Sequence, residues 1–227
     1  SPGDIIRYTL TFEVADYYAL GNLVLEDRLS DGQHFYSDAT HQPTIQVFAN
    51  PDTDSITPAA VWTPANLDVA CHYSGATGSE CESNLAPYTG ETTLTFDISA
   101  ELASQGGDAA GRLLGGCVNG AAGGLVENCT GGDGLTRGII VYYTVIMEEY
   151  TDVAGDSSVD QGDSISNTAT IDADVLDVND LATDIGDSSD SSSAGLSIQT
   201  GSLVKSIYAL NNTLVDDPKN FTITPGD

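Results

Sequence analysis

An all-β fold built as a sandwich of two sheets is what this sequence predicts, on three observations. Segments in which apolar and polar residues alternate recur along the chain, helix-forming stretches are scarce, and four cysteines fall in two pairs inside Gly-, Asn- and Ser-rich stretches. With 227 residues, 40% of them hydrophobic, the chain has enough apolar surface to bury a core.

The clearest strand is the first. Ile6, Tyr8, Leu10, Phe12 and Val14 alternate with Arg7, Thr9, Thr11 and Glu13, the period of a half-buried strand. LVLED (23–27) and TIQVF (44–48) follow, and TTLTFDI (92–98) and GIIVYYTVIM (138–147) come later. The last of these is apolar at both parities, as a central strand covered on both faces would be. SISNTATIDADV (164–175) and SLVKSIY (202–208) complete the set, all bounded by Gly, Pro, Asn or Asp. The one helical stretch is ISAELASQ (98–105), stopped by Gly106-Gly107. The Gly-rich interval from about 50 to 135 holds all four cysteines and reads as elaborated loops at one end of the sandwich. From Asp172 to Ala194 the chain turns acidic and serine-rich with little to bury, which places a domain boundary there.

Charge excludes one class of partner. Six basic residues stand against 34 acidic ones, and a net charge of −28 repels nucleic acid. Such a surface suits solubility in salt water, divalent-cation binding or mutual repulsion. Cys71 with Cys81, and Cys117 with Cys129, read as two loop-closing disulfides, which implies an oxidising, extracytoplasmic location. A zinc site is the rival, but CxxC is missing and only His72 lies nearby. No stretch has the length of a membrane span.

The order of elements resembles the bacterial surface-protein repeats of the DUF11 type and the related fimbrial isopeptide-forming domains of pilins and adhesins. The residues that carry it are a lysine-bearing strand (GSLVKSI), PGD with an alternating strand (PGDIIRYTLTFEV), LVLEDRLSDG and QGDSISNTATI. They cover residues 1–38, 92–105, 135–176 and 199–227, leaving out the cysteine-bearing loops. The resemblance implies an Ig-like β-sandwich in which the lysine strand comes first. Here that strand comes near the end of the chain, and Pro2-Gly3-Asp4 recurs as Pro225-Gly226-Asp227. The expectation is therefore a sandwich over residues 1–196 that lacks its own first strand, with residues 197–227 belonging structurally to the next copy. Strand 199–227 would be donated head-to-tail to an identical copy, in a homopolymer or a tandem repeat, building an extracellular filament or surface fibre. Separate subunits and consecutive units of one long polyprotein both fit.

Three polar residues share the parity of apolar neighbours: Lys205 with Leu203 and Ile207, Asn167 with Ile165 and Ala169, and Asp27 with Leu23 and Leu25. Taken singly, Lys205 snorkels to an edge, Asn167 ties down backbone and Asp27 begins a turn. The resemblance implies instead that Lys205 and Asn167 form an isopeptide bond with Asp27 as the catalytic acid, linking one copy to the next. Glu26, at the opposite parity, is the weaker acid. Gln161, Asp163 and Ser166 are less suited to take part. Such a bond forms once, so the chain is not an enzyme with turnover, and no cofactor is required.

Calcium is a second possibility, at Asp52 and Asp54 with Asn50, or at Asp172, Asp174 and Asp177 with Asp180, although neither run is an EF-hand loop. A calcium-stabilised adhesin or carbohydrate-binding module is the alternative function, using Trp62, Tyr73 and Tyr88 as a platform. The same aromatics also serve to pin loops to the sandwich. His34, His41 and His72 lack metal-ligand spacing, and His34 and His41 read as polar loop residues.

Overall fold

The computed structural model describes residues 1–49, 58–71, 90–127, 129, 135–151 and 155–198, with two short strands at 209–210 and 213–214. In chain order the elements are β1 (Ile5–Glu13), β2 (Ala19–Leu29), β3 (Gln33–Tyr36), β4 (Thr44–Ala49), β5 (Ala60–Trp62) and β6 (Leu67–Cys71), then β7 (Thr92–Asp97), α1 (Ile98–Ser104) and β8 (Leu113–Leu114). They continue with β9 (Leu135–Ile146), β10 (Ser164–Asp177) and β11 (Asp180–Ser197), and close with the small hairpin β12 (Ala209–Leu210) and β13 (Thr213–Leu214).

Two antiparallel sheets form a sandwich-like arrangement. One runs β1-β9-β4-β5, with β3 also on β9; the other runs β11-β10-β2-β7-β6, with β8 on β2. The central place of β9 follows from its composition: Ile140, Tyr142 and Ile146 are buried on one parity and Val141 on the other. Between the sheets, Leu23, Leu25, Leu29, Leu94 and Phe96 meet Phe12, Ile45, Val47, Ile140 and Tyr142 in one core. Each fully buried Leu or Phe there contributes about 1.5–3 kcal/mol. Among the described residues β1 is paired on one side only, with β9, and its inward Ile6, Tyr8 and Leu10 are half-buried while Phe12 is buried.

Helix α1 lies where ISAELASQ predicts it. Asp97 caps it by accepting from the Ala100 N–H at 2.8 Å, and Ile98 and Leu102 anchor it in the core.

The structure departs from the sequence reading in three places. The acidic, serine-rich stretch expected as a boundary is strand β11, paired along β10 from Ser164↔Ser197 to Asp177↔Asp180. Part of the interval expected as loops adds β5 and β6 to the two sheets, and Trp62 packs against the core. His34 is buried in β3 and is not a loop residue, because β3 pairs along β9.

At one pole Gly3 and Ile198 both lie beside Ile146. The Gly3 N–H donates to the Ile146 carbonyl at 2.8 Å, and the Ile198 N–H to the Asp163 carbonyl at 2.7 Å. Ile198 packs there with Ile146, Val159 and Ile165.

Candidate functional site

Asp27 and Asn167 meet inside the core. β2 and β10 are adjacent, with Ala169 opposite Asp27 and Asn167 opposite Leu29, so the two side chains lie diagonally on the same inner face. Asp27 is 0% exposed and Asn167 is 3% exposed. The Asn167 Nδ2 donates to both carboxylate oxygens, Oδ1 at 3.2 Å and Oδ2 at 3.1 Å. Tyr142, reaching across from β9, donates its hydroxyl to Asp27 Oδ2 at 2.5 Å and accepts from Asn167 Nδ2 at 3.2 Å. Tyr8 stacks on the Tyr142 ring at a centroid distance of 5.1 Å, and Phe96 stands 6.0 Å away on tilted planes.

The electrostatics favour neutral groups. Burial raises the Asp27 carboxyl above its ordinary value, against the hydrogen bonds from Tyr142 and Asn167, which lower it. Burial and the adjacent Asp27 charge push the Tyr142 phenol upward, so it stays protonated as a donor. No cation balances Asp27 among the described residues. Arg28 pairs with Glu26 at 2.9 Å, Arg112 pairs with Asp108 at 2.8 Å, Arg137 lies 4.4 Å over the Phe48 ring, and Arg7 is on the exposed face of β1. Among the described residues the buried Asn167 Oδ1 has no hydrogen-bond partner. An amide carbonyl left unpaired in a core costs about 1–3 kcal/mol, so it marks a place where a donor fits.

Sequence parity thus identifies two members of this cluster. Lys205 lies outside the described residues. Glu26 points outward to Arg28, as its parity requires. Tyr142 was missed, because the Tyr142-Tyr143 pair puts a phenol on each face and only the fold shows which one meets the acid. Gln33 was also missed. It is 0% exposed, accepts from Tyr8 at 3.0 Å and Thr144 at 3.1 Å, and donates to the Ser166 carbonyl at 2.8 Å.

Cys117 and Cys129 form a disulfide with a Cα–Cα distance of 5.4 Å, away from the acid–amide cluster on the loop beside Asp16. Cys81 and the Cys71 side chain lie outside the described residues, as do Asp52, Asp54, Tyr73 and Tyr88. Of the acidic residues named for calcium, Asp174 converges with Asp184 and Asp187, their carboxylates within 4.8 Å of one another. Asp172 and Asp177 are not in that group, and the Asp177 carboxylate instead accepts from the Asn179 N–H at 2.9 Å.

Among the described residues no helix is long and apolar enough to cross a membrane. Comparison of the chain with protein-family models, curated proteins and solved structures finds no match.

Proposed function

We propose that the chain is a structural unit of an extracellular filament or surface fibre, an Ig-like sandwich that receives residues 199–227 of an identical copy and is locked to it by a Lys205–Asn167 isopeptide bond. The observation that carries this reading is the Asn167 amide held against a buried, pKa-raised carboxyl while its carbonyl oxygen has no partner among the described residues. The chain's only lysines, Lys205 and Lys219, both lie in the segment proposed to be donated.

The chemistry is balanced without a cofactor. A neutral Lys205 amine attacks Asn167 Cγ, a new Nζ–Cγ bond forms, the Cγ–Nδ2 bond breaks and ammonia leaves. Nδ2 is the atom that faces Asp27 and Tyr142, so a protonated Asp27 stands where the departing nitrogen needs a proton, and the carboxylate then recovers one from the attacking amine. Folding supplies the proximity.

The test is tandem mass spectrometry on assemblies grown from mixed isotope-labelled and unlabelled chains, after disulfide reduction and proteolysis. A branched Lys205–Asn167 peptide lighter by one ammonia, carrying one labelled and one unlabelled arm, is the expected product. Intact, unlinked peptides in a formed assembly would remove the covalent bond. A chain that never associates would remove strand donation as well.

A further inference from the structure

Strand β11 fits its position poorly. From Gly186 to Ser197 it contains no β-branched or aromatic residue, and almost all of it is exposed. Its inward positions are set by the register: Ser188 is opposite Ala173, Asp190 opposite Ile171, Ser192 opposite Ala169, Ala194 opposite Asn167, and Leu196 opposite Ile165. A sandwich edge would bury apolar side chains at those places, yet four of the five are Ser, Asp or Ala, and Leu196 is 44% exposed. Beneath Ser188, Asp190 and Ser192 lie open clefts of about 330 and 160 Å³, between β11 and the half-buried inner face of β1, floored by Leu25, Ile171 and Ala173. Ala194, too short to reach any polar atom, is the residue set opposite Asn167, whose carbonyl oxygen has no partner among the described residues.

We infer that β11 is a provisional occupant of the β10 edge, and that residues 202–208 of a second copy replace it there during assembly. This rests on the reading that the segment is donated. It goes further by naming the receiving edge and the strand that must leave it.

The incoming sequence answers the defects at Ser192, Ala194 and Leu196. With Lys205 in the place of Ala194, its side chain stands beside Asn167, the adjacent same-face distance being about 4.5–5.5 Å between Cβ atoms. Leu203 and Ile207 then take the places of Ser192 and Leu196, in one order or the other according to strand direction. One fills the space over Ala169, and the other covers Ile165. An amine also arrives beside Asp27, which has no basic group next to it among the described residues. Addition to the outer edge of β11 would leave Lys205 two strands from Asn167, and so does not bring the two together. Exchange of one strand for another at the same edge keeps the ladder hydrogen bonds while improving what the inner face buries.

The test locks β11 in place. Thr168 and Ser193 are opposite one another on the outer face, their hydroxyls 3.0 Å apart, so Thr168→Cys with Ser193→Cys gives a disulfide that leaves the core untouched. The full-length double variant and the wild type are compared with and without reductant, reading polymer by size and the branched peptide by mass spectrometry. The expected result is an initial assembly rate down by about tenfold or more when oxidised, because the competent state is no longer populated, and restored on reduction. Wild type serves as control for the native disulfide. Hydrogen exchange before and after assembly should show amides 186–197 losing protection while those of β10 keep theirs. If the oxidised variant assembles at the wild-type rate, or 186–197 stay protected in the polymer, exchange is overturned while donation stands. If the wild type forms no polymer in either state, donation itself fails and exchange with it.

Discussion

The side-chain amide of Asn167 lies on the carboxylate of Asp27, its nitrogen 3.2 and 3.1 Å from the two oxygens, with the two residues on neighbouring strands and both sealed from solvent. Because among the described residues Asp27 accepts from two neutral donors and from no cation, the pair serves two ends at once: it satisfies polar groups in the core and holds an amide beside an acid.

Separating those ends needs two substitutions at one position. Asp27→Ala leaves the Tyr142 hydroxyl and the Asn167 amide without their acceptor, and should cost about 3 kcal/mol or more in chemical denaturation. Asp27→Asn keeps the shape and one acceptor oxygen, for the Tyr142 hydroxyl and the Asn167 amide, loses the second acceptor, and has no acidic proton to give. Its midpoint should lie much closer to the wild type while the branched peptide is absent, and a normal branched-peptide yield in Asp27→Asn would exclude Asp27 as the acid.

Tyr142→Phe removes one of the two donors to Asp27. A hydrogen bond to a buried group of this kind is worth about 1–2 kcal/mol, which the urea midpoint should register. Since that bond lowers the Asp27 pKa, its loss should move the carboxyl's titration higher still, an outcome readable by NMR of the side-chain carbon. A titration that moves down instead would mean the phenol does not act as a donor to Asp27.

The pH dependence has a definite sign. Asp27 binds its proton more tightly folded than unfolded, so its contribution is most favourable below the unfolded value of 3.8 and is lost as pH rises through the raised folded value. Asp108, lowered chiefly by its hydrogen bond from Arg112, acts in the opposite direction. The difference between wild type and Asp27→Asn isolates the first: wild type should lose stability relative to the variant as pH climbs out of the acid range. A difference independent of pH would contradict the upward shift.

On the outer reach of the same hairpin, Asp174 stands directly opposite Asp187, with Asp184 close by. Like charges across strands repel, so Asp187→Asn should stabilise the protein by about 0.5 kcal/mol at low ionic strength. Salt at molar concentration should erase the gain through screening. If the substitution destabilises only when calcium is present, the three carboxylates hold a cation.

How much of this was legible depended on whether a residue's role is set locally. Alternation in residues 5–13 placed β1 because a half-buried strand imposes period two. The same rule turned Asp27 and Asn167 inward from their neighbours alone. Tyr142 was hidden, since choosing between it and Tyr143 requires knowing which face of β9 meets β2. β11 was hidden for a different reason: its pairing with β10 is made by backbone, and its side chains bury almost nothing, so composition carries no sign of a strand. β3 was obscured by Gln33 and His34, polar residues whose burial depends on partners from distant strands.

The register of the last hairpin also fixes how it responds to a pull. Ser197 pairs with Ser164 at the open end, beside Ile198, which is itself held to Asp163 and Gly162 by backbone hydrogen bonds. Tension on Ile198 therefore does not shear the ladder as a whole. It opens it like a zipper, rung by rung from that end, and the fourth rung is Asn167↔Ala194. Once the first three rungs have opened, the fourth uncovers the flank of Asn167 while β2 and β10 still hold its amide against Asp27.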